Sequence, residues 1–318
     1  MDSVPRRGDL PRLSRKKYLT IVPLFHVAGV TGTIKNMLTV ALTVIQDFDP
    51  VGLLSTIEKE GITHMFLAPA MWLMVMNHPD FRKYDVSSLR LASYGAAPMP
   101  NTLKERVLEA FPNAMLSENF GQTEMSPTTT YMKHQDALRK EGAVGLPLFN
   151  VEVRVVDDRM NDVPAGAIGE AVYRGPSMFK GYYKNPEANR DAFEGGWFHS
   201  GDLVRRDEEG FIYVVDRKKD MIISGGENIY SAEVEAVLHT HPGVQEAAVI
   251  GVPDPKWGET VKAVVVLKPG HEATPEEIID FCGENLARFK RPKIVEFIRA
   301  LPRSAAGKVL KNELRTGK

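Results

Sequence analysis

The stretch "LRLASYGAAPMPNTLKERVLEAFPNAMLSENFGQTE", residues 89–124, decides the fold. "LRLASYG" reads as a strand that ends in the small-residue loop "AAPMP". "NTLKERVLEAFPN" is an amphipathic helix, with Asn101 expected as its N-cap. "AMLSENF" is a second strand and "GQTE" a second loop. A strand returning through a helix to another strand predicts a parallel α/β sheet. In such sheets ligands collect at the loops beyond the strand C-termini.

The pattern extends upstream. "YLTIVPLF" (18–25) predicts a strand and turn, and Asp49-Pro50 opens a helix that Gly61 closes before another strand and helix. After about residue 140 the texture changes. "VEVRVVDD", "GEAVYRG" and "WFHSGDLVRRDEEGFIYVVDR" are β-rich, with turns at Pro164–Gly166 and Glu208–Gly210, which predicts a small antiparallel barrel or sheet. From about residue 219 a third texture predicts a separate α+β region. Ser231 is expected to cap one of its helices. Thr274, Pro275 and Glu277 form the capping box of another. There is no internal repeat or low-complexity stretch.

Chemistry concentrates in a few polar, glycine-rich segments. Around Gly95, Ala96 and Ala97 the backbone can approach a flat ligand closely. In "NFGQTE" (119–124), Phe120 can stack on a base, Thr123 can donate to a phosphate oxygen, and Glu124 can hold Mg²⁺. In "WFHSGDL" (197–203), Asp202 offers an acceptor pair to ribose hydroxyls. "DRKKDMIISGGENI" (216–229) holds Arg217, a charge run and Gly225-Gly226. Each also has an ordinary reading: Gly121 as a turn glycine, Asp202 as a β-turn acid, Arg217 and Lys219 as a solvated charge run. Lys308, in "LPRSAAGKVLKNELR" (301–315), follows a glycine but is not the lysine of a Walker loop, because Pro302 stands where that loop needs glycine.

Order and spacing carry more than any single residue. "PLFHVAG", "YGAAPMP", "NFGQTE", "GEAVYRGPSMFKGYYKNPEA", "GWFHSGDL", "VDRKKDMIISGGENIYSAEVE" and "LPRSAAGKVLKNELR" follow one another from Pro23 to Arg315. In this the sequence resembles the acyl-adenylate-forming synthetase superfamily, which holds acyl-CoA synthetases, aryl-CoA ligases, luciferases and the adenylation domains of peptide synthetases. "GGENIYSAEVE" and "LARFKRPK" look most like the CoA ligases.

The resemblance implies an α/β fold. An incomplete large α/β domain with a β-barrel-like subdomain is expected over 18–216, then a hinge and mobile α+β C-terminal domain over 217–318. It also implies a two-step reaction with ATP, Mg²⁺ and coenzyme A, in which a carboxylic acid, expected to be a fatty acid, becomes an acyl-adenylate and then a thioester. Gly95, Ala96, Ala97, Glu118, Asn119, Phe120, Gly121, Thr123, Asp202, Arg217 and Lys308 are implied to bind nucleotide. Lys308, Thr123, Glu124 and His26 are the implied catalytic set, with Glu124 on the metal and His26 at the acyl pocket. A core histidine is the plain alternative for His26. Gly225, Gly226 and Glu227 are implied to line the CoA channel, and Lys219 to be the hinge about which the C-terminal domain turns between half-reactions.

The family's phosphate loop, which precedes the "PLFHVAG" segment and ends in Pro-Lys-Gly, has no counterpart in residues 1–17, where Gly8 is the lone glycine. "GVTGTIK" (29–35) lies on the wrong side of His26 and is expected to be helix. The expectation is therefore a truncated form of the enzyme. A stretch around Val30, Ile34, Met71, Trp72 and Met76 reads as an apolar pocket wall or as core.

Composition bounds the rest. A net charge of −1 over 318 residues gives no global field for nucleic acid, although residues 1–17 form a basic leader. The single cysteine, Cys282, excludes an internal disulfide and suits a reducing cytoplasm; it reads as a buried small residue. No apolar run reaches transmembrane length, which leaves at most peripheral membrane contact, and homo-oligomerisation stays open. The competing readings are an aryl-CoA ligase, a non-catalytic fragment that binds nucleotide or acyl-AMP, and a nucleic-acid binder acting through the leader.

Overall fold

A computed structural model describes residues 16–39, 41–45, 47–304 and 307–316. Of the basic leader, only Lys16 and Lys17 fall among these, and Lys17 already opens the first strand. The chain divides into two interleaved units. The first runs to Arg154 and adds Val172–Phe198 and Arg206–Tyr213; the second takes Val155–Ala171, His199–Arg205 and the chain from Val214.

The first unit is the α/β sheet expected from the sequence. Its elements alternate as β1 (Lys17–Thr20), α1 (Val27–Thr39), β2 (Ala41–Val44), α2 (Pro50–Glu60), β3 (His64–Leu67), α3 (Pro69–Asn77), β4 (Leu91–Gly95), α4 (Asn101–Ala110) and β5 (Met115–Gly121). The strand order is β2-β1-β3-β4-β5, and every neighbouring pair is parallel. β6 (Thr128–Met132) and β7 (Ala143–Pro147) continue the sheet antiparallel. α2 starts where the sequence says it must: Asp49 Oδ2 accepts the Gly52 N–H at 2.6 Å, and Gly61 ends the helix at φ 60°. Asn101 does not cap α4. It is the first helical residue, and Pro100 holds the cap position without a side-chain bond; the Asn101 amide donates to the Leu138 carbonyl at 3.0 Å instead.

"GVTGTIK" lies within α1, as expected. The apolar stretch divides. Trp72 is fully buried, its Nε1 donates to the Ser93 carbonyl at 3.3 Å, and its ring meets Phe111 edge-on at 5.4 Å. Met71 and Met76 pack against the same core. These three are core of the unit, whereas Val30 and Ile34 are exposed on α1.

β8 (Glu152–Val156) and β9 (Ile168–Arg174) come next, then α5 (Pro186–Ala192), β10 (Phe198–Arg206) and β11 (Ile212–Arg217). The four strands lie in the order β11-β10-β9-β8, and each has residues in both units. β8 is the last strand of that order. Among the described residues the segment is thus an open sheet, not the barrel-like subdomain expected.

The second unit continues with β12 (Ile222–Ser224), β13 (Glu227–Ile229), α6 (Ser231–Thr240), β14 (Val244–Asp254), β15 (Gly258–Leu267), α7 (Pro275–Asn285), β16 (Ile294–Phe297) and α8 (Lys311–Thr316). Its sheet runs β13-β12-β15-β14, with β16 parallel to β15. The capping box of α7 is formed: the Glu277 N–H donates to Thr274 Oγ1 at 3.2 Å, and the Thr274 N–H to Glu277 Oε2 at 2.7 Å. Ser231 does not cap α6. Tyr230 holds that position, and the Ser231 hydroxyl donates to buried Asp216 at 2.9 Å. Cys282 is fully buried, and burial pushes its thiol up to about 11, which suits a packing residue. Among the described residues no helix is long and apolar enough to cross a membrane.

Candidate active site

In the first unit the site begins at two adjacent strand ends. β4 and β5 are parallel neighbours with Gly95 opposite Asn119, so the loops that follow them leave the sheet side by side. The approach is too close for a side chain. A Cβ on Gly95 would collide with the Asn119 carbonyl oxygen and press on the Phe66 ring. Ala96 then takes φ 68°, a left-handed conformation that costs a non-glycine residue energy. Ala96 and Ala97 stand exposed, and Phe120, the residue after Asn119, is half-buried. Gly121, at φ 153°, has no room for a Cβ against the Pro127 carbonyl. Thr123 is exposed in a short 3₁₀ turn that also carries Glu124.

Behind these loops lies a charge cluster that the sequence pattern does not reveal. Glu118 of β5 is buried, as are Tyr94 of β4 and Lys104 of α4. Lys104 Nζ donates to the Ala137 carbonyl at 2.8 Å and stands 5.9 Å from the centre of the Tyr94 ring. Burial pushes Glu118 up to about 7, against the pull of the Lys104 ammonium and the Tyr94 hydroxyl. Burial likewise pushes Lys104 down, against the carboxylates of Glu118 and Glu141.

Glu124 is gripped from one direction. Its backbone carbonyl accepts the Phe179 N–H at 2.8 Å, and its Oε1 accepts the Tyr182 hydroxyl at 2.9 Å. His26 is half-buried, and its Nδ1 accepts the Ala28 N–H at 3.2 Å, at the first turn of α1. With Nδ1 occupied as acceptor, the neutral ring carries its proton on Nε2.

In the second unit, Asp202 and Arg217 meet each other: Arg217 Nε lies 2.7 Å from Asp202 Oδ1. The Asp202 side chain is buried and the guanidinium half-exposed. Glu170 of β9 accepts from His199 Nδ1 at 3.2 Å, Lys218 Nζ at 3.1 Å and the Gly201 N–H at 3.1 Å. Burial pushes this carboxyl up, but those donors outweigh it and hold it below the usual glutamate range. Lys218, Lys219 and Asp220 form the turn after β11. Lys219 is exposed, and its carbonyl accepts Arg315 Nη2 at 3.3 Å.

Gly225 and Gly226 form the two-residue turn of the β12–β13 hairpin, with Ser224 opposite Glu227. Both take positive φ, 62° and 86°, as such a tight hairpin requires. A Cβ on Gly225 would also strike the Trp257 ring. Lys308 is exposed beyond Gly307, with its N–H on Ser304 Oγ at 3.2 Å. No ion pair among the described residues engages its ammonium. Ala305 and Ala306, beside it, lie outside the described residues.

Of the residues singled out in the sequence, the structure joins Gly95 to Asn119 and Asp202 to Arg217. It also adds Tyr182, Glu170 and Lys104, which sequence reasoning missed. The partners of Tyr182 and Lys104 lie 58 and 33 residues away in the chain, and those of Glu170 lie 29 to 48 away, and no local pattern encodes such contacts.

Two loops leaving adjacent strand ends side by side, on a parallel sheet followed by an α+β region, define an α/β protein with a site at its strand C-termini. The sequence profile of the AMP-binding enzyme family matches residues 3–183, and that of the AMP-binding enzyme C-terminal domain matches residues 233–308. The chain belongs to the AMP-binding enzyme family. It is 42% identical over 304 residues to a feruloyl-CoA synthase from an Amycolatopsis species, an alignment covering 95% of this chain and 62% of that protein. To the long-chain-fatty-acid–CoA ligase FadD13 of Mycobacterium tuberculosis it is 40% identical over 302 residues, with 95% and 59% covered. The fold matches the o-succinylbenzoate coenzyme A synthetase of Bacillus subtilis, solved in complex with ATP and magnesium ion. The TM-score is 0.86 at 32% identity, over 96% of this chain and 63% of that one. The chain thus spans less than two-thirds of the length of these relatives.

Proposed function

We propose that the chain carries the adenylate chemistry of a cytoplasmic, AMP-forming acid–thiol ligase. In the first half-reaction a carboxylate oxygen attacks the α-phosphorus of ATP, and the bond to pyrophosphate breaks. In the second, the CoA sulfur attacks the acyl carbon and AMP leaves. The observation that carries this reading is the Gly95–Asn119 register, which sets two family loops side by side at adjacent strand ends, with Ala96 and Ala97 exposed. Gly95, Ala96 and Ala97 lie along the adenine and acyl carboxylate in this reading, Phe120 packs on the base, and Thr123 donates to phosphate. Glu118, Asn119 and Gly121 shape the same strand end. Asp202, preset by Arg217, accepts from the ribose hydroxyls.

Glu124 suits magnesium. No cluster of three metal-binding side chains exists among the described residues, and a lone carboxylate is what Mg²⁺ uses when phosphate oxygens and water complete its shell. Bound there, the ion would offset charge on the phosphates. Lys308, exposed and without an ion partner among the described residues, stabilises the negative charge that builds at the α-phosphate and carboxylate. The C-terminal region turns about Lys219 between half-reactions, and Gly225, Gly226 and Glu227 then serve the pantetheine thiol.

The acid is apolar. The kinship with FadD13 supports a fatty acid, and the kinship with feruloyl-CoA synthase supports an aryl acid as the second reading. Pyrophosphate release with ATP, magnesium and a panel holding octanoate, palmitate and ferulate separates them, with AMP affinity measured in parallel. Lys308→Ala should lower adenylation by ~10²–10³-fold and leave thioester formation from supplied acyl-adenylate largely intact. An equal loss in both steps overturns the two-pose account. Tight AMP binding with no turnover points to a binding fragment.

A further inference from the structure

Segment 179–193 holds Glu124 by both backbone and side chain. Phe179 donates its N–H to the Glu124 carbonyl, and Tyr182 donates its hydroxyl to Oε1 at 2.9 Å. Among the described residues, Oε2 of the same carboxylate accepts no hydrogen bond. The Tyr182 backbone is itself clamped. Its N–H donates to Asn189 Oδ1 at 2.6 Å, and its carbonyl accepts Asn189 Nδ2 at 2.9 Å. Gly181, at φ 135°, lets Asn189 come this close, since a Cβ there would press on the Asn189 amide. The Tyr182 ring packs edge-on against Phe179 at 4.9 Å, and Phe179 in turn packs on Phe193 and buried Phe198. A phenol fixed at backbone and ring thus restrains one carboxylate oxygen and leaves the other free.

We propose that Tyr182 is the positioning residue of the Glu124 carboxylate, aiming Oε2 at the metal–phosphate of bound ATP. This rests on the reading of Glu124 as the magnesium-holding residue. A flexible glutamate must lose side-chain freedom when it takes up a metal, and a hydrogen bond made beforehand removes part of that cost. The Asn189 clamp has the same purpose one step further out.

The test is manganese-dependent ATP binding by the full chain, read as the loss of the free Mn²⁺ electron paramagnetic resonance signal. AMP affinity without metal is the control. Glu124→Gln and Tyr182→Phe, which keeps the ring and removes the hydroxyl, should each weaken Mn²⁺–ATP binding by about tenfold or more, with metal-free AMP affinity unchanged. Asn189→Ala should give a smaller loss of the same kind. If Glu124→Gln weakens metal binding and Tyr182→Phe does not, the positioning role is wrong while the metal reading stands. If Tyr182→Phe weakens metal-free AMP binding equally, the hydroxyl is structural and the proposal falls. If Glu124→Gln changes nothing, the metal reading fails and takes the proposal with it.

Discussion

Glu118 and Glu170 are both strand carboxylates, 7% and 6% exposed, one described in each unit's site. Burial pushes both upward. For Glu118 it wins, and the group titrates at about 7, because the cation facing it, Lys104, is itself committed to the Ala137 carbonyl. For Glu170 it loses, because His199, Lys218 and the Gly201 N–H all donate to the carboxylate. Equal depth therefore gives opposite charge behaviour, and the number of aimed donors decides which. The two loops follow this difference. Asn119 and Phe120 extend from a carboxyl that takes a proton near neutral pH, while Gly201 and Asp202 are tied to one that stays ionised.

The largest expected effect lies in the pH dependence of stability. The folded Glu118 carboxyl holds its proton up to about pH 7, whereas the unfolded chain releases it near 4.5. Between those values the native state binds more protons, so stability falls as pH rises. The stability present below about pH 4.5 drops by about 3 kcal/mol by the time pH passes 7. Urea denaturation midpoints from pH 4.5 to 8 check this, and Glu118→Gln should flatten the slope. A wild-type profile as flat as the variant's would break the comparison. Lys104→Met should sharpen it. Without the ammonium, the fall should continue to higher pH.

Glu170→Gln comes next. The amide keeps one acceptor but leaves Lys218, His199 and the Gly201 N–H sharing it, at a cost of about 2 kcal/mol at pH 7. Glu170 also loses its stabilising charge in acid. Its folded range lies below the usual one, so its contribution is full above the unfolded value and disappears as pH falls through the folded one. Matched glutamine variants should thus have opposite signs at pH 7.5, with Glu118→Gln neutral or stabilising and Glu170→Gln destabilising. Chemical denaturation of the two variants side by side reads this directly, and two changes of the same sign would refute the donor-count argument.

How much of this was legible in the sequence follows from the range of each interaction. The parallel sheet, the two strand-end loops and the Thr274–Glu277 box are written in contiguous residues, and all of them are formed. Asn101 and Ser231 were misplaced by one position, since a polar residue near a helix start can lie at the cap or just inside it, and tertiary partners decide which. Leu138 draws the Asn101 side chain away, and Asp216 draws that of Ser231. Trp72 reads as core more readily than as pocket, and core is what it is, but an apolar periodicity reports a buried face without saying what buries it. The donors around Glu170 come from β10 and the turn after β11, and the grip on Glu124 comes from Tyr182, which no short-range pattern could link to it.

The smallest effect tests which Glu170 donor matters. Lys218 Nζ reaches Glu170 at 3.1 Å and Asp158 at 3.0 Å, but its side chain is 46% exposed, so water screens the pair. His199 and the Gly201 N–H come from β10, which lies beside β9 in the sheet, and the Gly201 donor is part of the backbone. Lys218→Met should therefore cost less than about 1 kcal/mol, and less still in high salt. The Glu170 carboxyl should stay ionised at neutral pH on the remaining two donors. A carboxyl carbon chemical-shift titration of Glu170 in the variant reads this without relying on stability. If Lys218→Met alone let Glu170 take up a proton near pH 7, a single exposed cation would be what separates it from Glu118, and the donor count would not.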